Sequence, residues 1–186
     1  MSFGVSRNPD AILSQPSMFD FYDGGGLDIA FLGMAEVDAR GNVNVSKFGT
    51  RVAGAGGFIN ISQSAKKVVY CGTFTAGGLK VSARDARLSI EQEGKTRKFV
   101  KSVEHVTFSG PRTLRQGQKV LFVTERAIFE LQEGGVCLTE IAPGVDLARD
   151  ILAQMDFQPA VARQLRTMDS RVLCEEAMGW TLPDPL

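Results

Sequence analysis

The sequence predicts an α/β domain built on a mixed, mostly parallel sheet flanked by helices. Its 186 residues, 44% of them hydrophobic and 23% charged, fit one globular domain with a sizeable core, so we treat 1–186 as a single unit. An amphipathic stretch leads directly into the apolar run "KVVYCGTFT" (67–75). Helix-like periodicity then returns after a long strand-like middle, and this order is typical of an α/β fold.

The first elements follow from hydrophobic pattern and turn residues. Residues 28–46, "DIAFLGMAEVDARGNVNVS", predict a strand, a hairpin turn over Ala39–Asn42 and a second strand. Residues 57–66 predict a helix of two or three turns that starts after a glycine-rich loop. The β-branched run 67–75 predicts a buried strand.

The middle and the end of the chain differ in period. Residues 86–94, 97–110 and 119–144 alternate apolar and polar positions between glycine turns, which predicts hairpins and strands at a sheet edge. From Val145 the pattern turns helical: Asp146 caps one helix over "LARDILAQMDF", and "PAVARQLRTM" predicts another that begins at Pro159. Residues 175–186 predict a loose tail.

Charge and cysteine content exclude several classes of protein. The 21 basic and 21 acidic residues cancel without a long run of one sign, so we expect neither nucleic acid nor a membrane surface as partner. No apolar run is long enough to cross a bilayer and no secretory leader is visible, which predicts a soluble, cytoplasmic protein. The three cysteines lack C-x-x-C spacing, so we expect neither a disulfide framework nor a metal site. The single histidine, His105, is interpreted as a surface or strand residue.

The loop Gly54–Gly57 before the predicted helix allows two interpretations. Glycines there permit a sharp turn and close helix packing. They also let a backbone approach a ligand, and free amides at that point favour an anion or a developing oxyanion. The loop alone does not decide between them.

Three stretches together resemble a known family: residues 19–74, from "FDFYDGGG" to "VVYCGTF", then "VTERAIFEL" and "EIAPGVDLARDIL". They are similar to the C-terminal, β-type part of the family I coenzyme A transferases, of the short-chain acyl-CoA type that includes acetate and propionate CoA-transferases. The resemblance extends from about Phe3 to about Asp169. It implies transfer of coenzyme A between carboxylic acids through a glutamyl-CoA thioester, with coenzyme A as a substrate and no tightly bound cofactor.

The resemblance also implies that parts of such an enzyme lie outside this chain. The stretch "FGVSRNP" (Phe3–Pro9) matches a segment that follows the nucleophilic glutamate in the family, so the nucleophile is expected upstream of Met1. The N-terminal half is expected to be missing as well, which predicts an inactive isolated chain that needs that half and self-associates through uncovered apolar surface. Whether the chain is a piece, a separate subunit or a truncated gene stays open. The rival function is a non-catalytic acyl-CoA-binding or structural remnant.

The family's motifs place site residues on this sequence. The loop Gly54, Ala55, Gly56 and Gly57 is expected beside the thioester, with Gly56 and Gly57 supplying an oxyanion donor. Glu125 is expected to support the nucleophile by hydrogen bonding.

Other residues keep two interpretations. Glu125 and Arg126 are alternatively the solvated face of an alternating strand. Asp28 either lines the acyl pocket or caps a turn. Asn42 and Asn44 are interpreted as hairpin turn residues. No residue identifies the acyl group or the acceptor acid.

Overall fold

The structure is a computed structural model that describes residues 7–181. The helices within that range are α1 (Gln15–Asp23), α2 (Phe58–Ser64) and α3 (Gly110–Arg115), followed by a π-helical turn (Leu147–Ile151) and two 3-10 turns (Leu152–Gln154 and Ser170–Leu173). The strands are β1 (Ala30–Gly33), β2 (Glu36–Val37), β3 (Val43–Asn44), β4 (Lys47–Phe48), β5 (Arg51–Val52), β6 (Lys67–Cys71), β7 (Thr75–Ala76), β8 (Lys80–Arg84), β9 (Arg87–Gln92), β10 (Thr96–Arg97), β11 (Lys119–Val123), β12 (Ala127–Gln132), β13 (Gly135–Ile141) and β14 (Ala160–Thr167).

The main sheet has six strands in the order β1, β6, β11, β12, β13, β14. The first three strands run parallel, β12 is antiparallel to both of its neighbours, and β13 pairs with β14 in parallel. This arrangement confirms the predicted mixed, mostly parallel sheet with helices. It also corrects one expectation, because β11, β12 and β13 occupy the interior of the sheet and not its edge.

Burial follows the strand patterns in the sequence. In β6 the consecutive residues Val68, Val69 and Tyr70 are all buried, as expected for a strand covered on both faces. In β12 burial alternates instead, and Phe129 faces the core while Ile128 is half-exposed. The predicted buried strand over 67–75 is therefore confirmed for residues 67–71.

Aromatic rings form the centre of the core and reach the edge of the sheet. Phe99 lies between Phe74 and Phe129, at centroid distances of 4.7 and 4.9 Å, and all three side chains are fully buried. Such tilted ring contacts add to the energy of apolar burial. Phe74 comes shortly after β6, so the packing of its ring fixes the chain at the point where that strand ends.

The hairpin predicted near residue 40 is present in a shorter form. β2 and β3 pair antiparallel around residues 38–42, and Gly41 has a φ of +74°. The apolar run before the turn is divided, because β1 pairs with β6 and only β2 belongs to the hairpin. Asn42 is buried, and its side chain bonds the Asp38 carboxylate and the Gly110 amide, so it has the structural role that we favoured.

The prediction of a helix from Pro159 is wrong, because residues 160–167 form β14 at the edge of the sheet. Ala162 and Leu165 are half-buried and Met168 is buried, which is a spacing of three that resembles a helix face. In the structure this spacing comes from a register shift between Leu138 and Glu140 of β13, which interrupts the alternation of β14.

The other helical predictions are confirmed in part. α2 covers 58–64 of the predicted 57–66. The Asp146 carboxylate accepts a hydrogen bond from the Arg149 amide as an N-cap, but the helix that follows is one π turn and one 3-10 turn. Residues 174–181 have no regular structure, and the remaining tail residues and those before Arg7 lie outside the described part. No helix within 7–181 is long and apolar enough to span a bilayer.

Candidate active site

Three segments meet where the parallel strands end. Because β1, β6 and β11 are parallel, their carboxyl ends lie at one edge of the sheet, where α/β sheets bind ligands. Met34 follows β1, Gly72 follows β6, and Glu125 follows β11 by two residues. The Gly72 amide donates to the Val123 carbonyl at 3.1 Å, which joins the ends of β6 and β11. We call this place the carboxyl edge.

Glu125 occupies a tight turn at the carboxyl edge. The turn is closed by the Thr124 amide, which donates to the Ala127 carbonyl at 2.9 Å. One Glu125 oxygen accepts from the Phe74 amide at 2.8 Å, and the other accepts from Arg126 Nε at 2.6 Å. The carboxylate is thus held from two directions, and 17% of the side chain stays exposed.

Arg126 is fully buried, which rules out the alternative that it lies on a solvated strand face. Its two terminal nitrogens contact the Glu93 carboxylate at 2.6 and 3.1 Å, and one of them also donates to the Asp150 carbonyl at 3.1 Å. The guanidinium carbon lies 5.0 Å from the centroid of the Phe74 ring. One guanidinium therefore connects two carboxylates, those of Glu93 and Glu125.

The electrostatics of this cluster favour its charged form. Burial acts to raise the pKa of Glu93, but hydrogen bonds from Arg126 and Thr75 outweigh it and leave that pKa below the ordinary value of 4.5. Burial acts to lower the pKa of Arg126, but the hydrogen bonds to Glu93 and Glu125 leave it raised. Each partner thus stabilises the charge of the other in a place that water reaches poorly.

Lys98 is a second buried cation at the carboxyl edge. Its relative exposure is 7%, and it follows β10, which pairs with β7. A Cβ atom built on Gly72 would lie 2.8 Å from Lys98 Nζ and 3.6 Å from Met34, so the ammonium lies beside the ends of β1 and β6. Burial lowers the pKa of Lys98, and the negative charge of Glu125 partly opposes that shift.

The loop 54–57 lies before α2. The Ala53 and Gly54 amides both donate to the Ser46 carbonyl, at 2.8 and 3.1 Å, which anchors the loop at its start. Gly54 and Gly56 have φ values of +82° and +52°, in the region that favours glycine. Among the hydrogen bonds of residues 7–181, none uses the amide of Ala55, Gly56 or Gly57 as donor. The loop therefore has three consecutive amides without a partner within residues 7–181.

Gly56 and Gly57 differ in their surroundings. A Cβ on Gly56 would meet no atom within 4 Å, whereas a Cβ on Gly57 would lie 2.8 Å from the ring of Phe19 in α1. Close helix packing therefore requires glycine at Gly57 but not at Gly56. Within the described residues, no hydrogen bond joins this loop to Glu125.

Asp28 lies at the other end of the strands. It precedes β1, and its carboxylate pairs with Lys66, which precedes β6, at 2.7 Å. Both residues are thus at the amino edge, and the side chain of Asp28 is largely exposed. The structure does not bring Asp28 together with Glu125.

The sequence pointed to Glu125 but not to its neighbours in space. Glu93 is in a polar glycine turn after β9, and Lys98 is one basic residue among several in the segment 95–101, so neither carried a distinguishing signal. Phe99, directly after Lys98, is fully buried, and its apolar side chain is a signal that could have indicated that this segment turns inward.

Comparison with known proteins shows that the chain is similar to part of two CoA-transferases. No protein-family model matches it. It is 50% identical over 184 residues to acetate CoA-transferase YdiF of Escherichia coli K12, and 50% identical over 183 residues to caffeate CoA-transferase of Acetobacterium woodii. These alignments cover 99% and 96% of the chain, and 35% of each relative. The chain thus spans about a third of the length of the curated relatives.

Solved structures agree with the sequence comparison. The apoenzyme of the acyl-CoA transferase YdiF from Escherichia coli O157:H7 superposes with a TM-score of 0.95 at 49% identity, over 100% of this chain and 36% of that one. A thioester complex of that transferase with CoA gives 0.93 at 50% identity, over 96% of this chain and 35% of that one. Glutaconate coenzyme A-transferase from Acidaminococcus fermentans, at 20% identity and a TM-score of 0.62 over 86% of this chain and 62% of that one, shares the fold.

Proposed function

We propose that this chain, as part of a family I coenzyme A transferase, supplies one lobe of the enzyme. This lobe supports the transfer of coenzyme A between a short-chain acyl-CoA and a carboxylic acid. The reaction proceeds through a glutamyl-CoA thioester on a glutamate outside this chain. The observation that carries the proposal is the placement of Glu125 at the carboxyl edge by the Phe74 amide and Arg126. We take residues 1–186 as one lobe of the enzyme.

Glu125 has a positioning role in this proposal. Its carboxylate is oriented by two donors and is still partly exposed, so one oxygen can accept a further hydrogen bond from a neighbouring group. A positioned acceptor can align the nucleophilic carboxyl or its bound thioester, and alignment is a large part of enzymatic rate enhancement. Arg126 and Glu93 hold Glu125 from behind.

The loop 54–57 supplies oxyanion donors. When a carboxylate attacks an acyl-CoA carbonyl, the carbonyl oxygen becomes a tetrahedral oxyanion, and backbone amides near 3 Å stabilise it. The free amides of Ala55, Gly56 and Gly57, with open space beside Gly56, support this role.

Coenzyme A is a transient substrate in this reaction and no resident cofactor is required. The chemistry suits the cytoplasm, where acyl-CoA esters are used.

The rest of the enzyme is the expected partner. β1 is an edge strand of the sheet, and its Phe31 is 67% exposed. An exposed aromatic on an open strand edge is a surface that another lobe or another copy would cover. We therefore expect the isolated chain to self-associate.

The rival function is a non-catalytic acyl-CoA-binding or structural domain. It would retain the glycine loop and the fold but would have no use for a carboxylate held at the carboxyl edge. The ion-paired Glu125 therefore favours the enzyme lobe, because a buried charge cluster is costly to maintain without a role.

A chimera tests the proposal. The matching third of the E. coli acetate CoA-transferase is replaced by this chain, to which it is 50% identical, and coenzyme A exchange between acetyl-CoA and a second acid is measured. We expect exchange well above background from the chimera and none from the isolated chain. A folded chimera without exchange would favour the remnant, and turnover by the isolated chain would contradict the need for a second half.

A further inference from the structure

Lys98 is a buried residue whose ammonium has no protein partner among the described residues and is not itself fully buried. Its exposure is 7%, and no hydrogen bond or ion pair within residues 7–181 involves Nζ. Buried lysines are almost always paired, because an ammonium that loses water must recover its three hydrogen bonds elsewhere. A buried lysine whose ammonium has no partner within residues 7–181 is therefore a candidate binding group for a ligand.

The place of Lys98 makes it a poor counter-ion for the neighbouring carboxylates. Glu125 is already bonded by the Phe74 amide and Arg126, and Glu93 is bonded by the two terminal nitrogens of Arg126. Neither carboxylate lies within 4.0 Å of Lys98 Nζ. The negative charge of Glu125 acts on Lys98 from a distance, and the donors of Lys98 Nζ have no partner within residues 7–181.

Gly72 makes room for this ammonium. A Cβ on Gly72 would lie 2.8 Å from Nζ, so any larger residue there would push the amine aside. The position follows β6 directly, at the carboxyl edge that also carries Glu125. Glycine at this point leaves the amine beside the ends of β1 and β6.

We propose that Lys98 binds the carboxylate of the acid that donates or accepts coenzyme A. The ammonium, held beside Gly72 at the carboxyl edge, gives charge-assisted hydrogen bonds to the carboxylate oxygens and neutralises them as water is displaced. This inference rests on the proposed function, whose substrate it places. A carboxylate is the anion that the reaction requires.

Binding of acetate to the chain tests the inference without turnover. Sodium acetate is added to the chain in place of sodium chloride, so that the ionic strength stays constant. The chemical shift of the Gly72 backbone amide is followed by NMR. We expect a saturable shift for the wild type and for the control Lys101→Met, an exposed lysine of the same segment. In Lys98→Met the affinity should fall roughly tenfold or more, because the charge is lost while the stem is kept.

A second variant covers the case in which Lys98→Met does not fold. Gly72→Ala keeps Lys98 but displaces its amine, so it should weaken the binding of acetate to a similar degree. Unsaturable shifts in the wild type, or unchanged acetate affinity in a folded Lys98→Met or Gly72→Ala variant, would overturn the inference.

The chimera separates this inference from the proposed function. Lys98→Met in an active chimera should raise the KM for the acid about tenfold and change the KM for acyl-CoA much less. Exchange with an unchanged KM for the acid would overturn the inference and leave the function intact. An inactive chimera that still binds acetate through Lys98 would contradict only the function.

Discussion

At the scale of single residues, the site depends on one guanidinium that serves two carboxylates. Arg126 contacts Glu125 through Nε and Glu93 through both terminal nitrogens, a fork that a lysine cannot reproduce. Its burial was not predictable from strand alternation, because Thr124–Ala127 is a tight turn where the period of two does not apply. The motif predicted Glu125, but only tertiary structure places Glu93 beside it.

Lowering the pH should weaken the ion pair between Glu93 and Arg126. The pKa of Glu93 in the folded chain lies below its ordinary value of 4.5, so its contribution to stability is complete above that pH and is lost as the pH falls toward the folded value. We expect the difference in free energy of unfolding between the wild type and Glu93→Gln to be constant at neutral pH and to shrink below pH 4.5. Urea unfolding at several pH values measures it.

Glu91→Gln is the matched control, because Glu91 is an exposed carboxylate of β9, the strand that Glu93 follows. Its effect should be small at every pH. A Glu93→Gln difference that stays constant down to the lowest pH at which the chain folds would contradict the pKa argument.

The two glycines of the loop should respond differently to substitution. Gly57→Ala brings a Cβ to 2.8 Å from Phe19 and should lower the free energy of unfolding by about 1–3 kcal/mol through overpacking. Gly56→Ala meets only the strain of its φ of +52°, about 1–2 kcal/mol, yet should lower kcat of the chimera roughly 100-fold or more by crowding the oxyanion.

Gly49→Ala provides the control for backbone strain. Gly49 has a φ of +56° and open space around its Cβ position, but it lies in the turn between β4 and β5. Unfolding and coenzyme A exchange are measured on the same preparations. Equal kcat values per folded molecule for the Gly49 and Gly56 variants would remove Gly56 from the site.

At the scale of elements, the sequence predicts strands well where burial is regular. β6 and β12 have continuous or strictly alternating burial, and both were predicted. β14 is an irregular edge strand in which Val161 pairs with Leu138 and Arg166 pairs with Glu140. The four residues between Val161 and Arg166 therefore lie opposite the single residue between Leu138 and Glu140. This irregularity gives β14 an apolar spacing that resembles a helix. A local pattern cannot reveal such a bulge, because the neighbouring strand produces it.

Hydrogen exchange distinguishes the two assignments of residues 160–167. As an edge strand, β14 should protect only the amides that face β13, and its Cα chemical shifts should be those of extended backbone. β12, with a neighbour on each side, should show protection on successive amides and supplies the internal comparison. Continuous protection with helical Cα shifts over 160–167 would contradict the fold described for this segment.

At the scale of the whole molecule, the sheet brings the site residues together and leaves one side open. The parallel strands β6 and β11 place Gly72 and Glu125 at one edge, and the segment after β10 brings Lys98 beside Gly72. The chain spans about a third of its curated relatives, and β1 has an exposed strand edge. Both facts fit the proposal that this chain is one lobe of a larger enzyme.

The measurement that tests this account most directly is the rate of coenzyme A exchange by the chimera with Glu125→Gln. Because the substitution removes the charge that the Phe74 amide and Arg126 hold in place, we expect kcat per folded molecule to fall roughly 100-fold, the scale of a lost alignment. The control Glu133→Gln, an exposed carboxylate between β12 and β13, should keep the rate of the parent chimera. A folded Glu125→Gln chimera that exchanges coenzyme A as fast as this control would contradict the account.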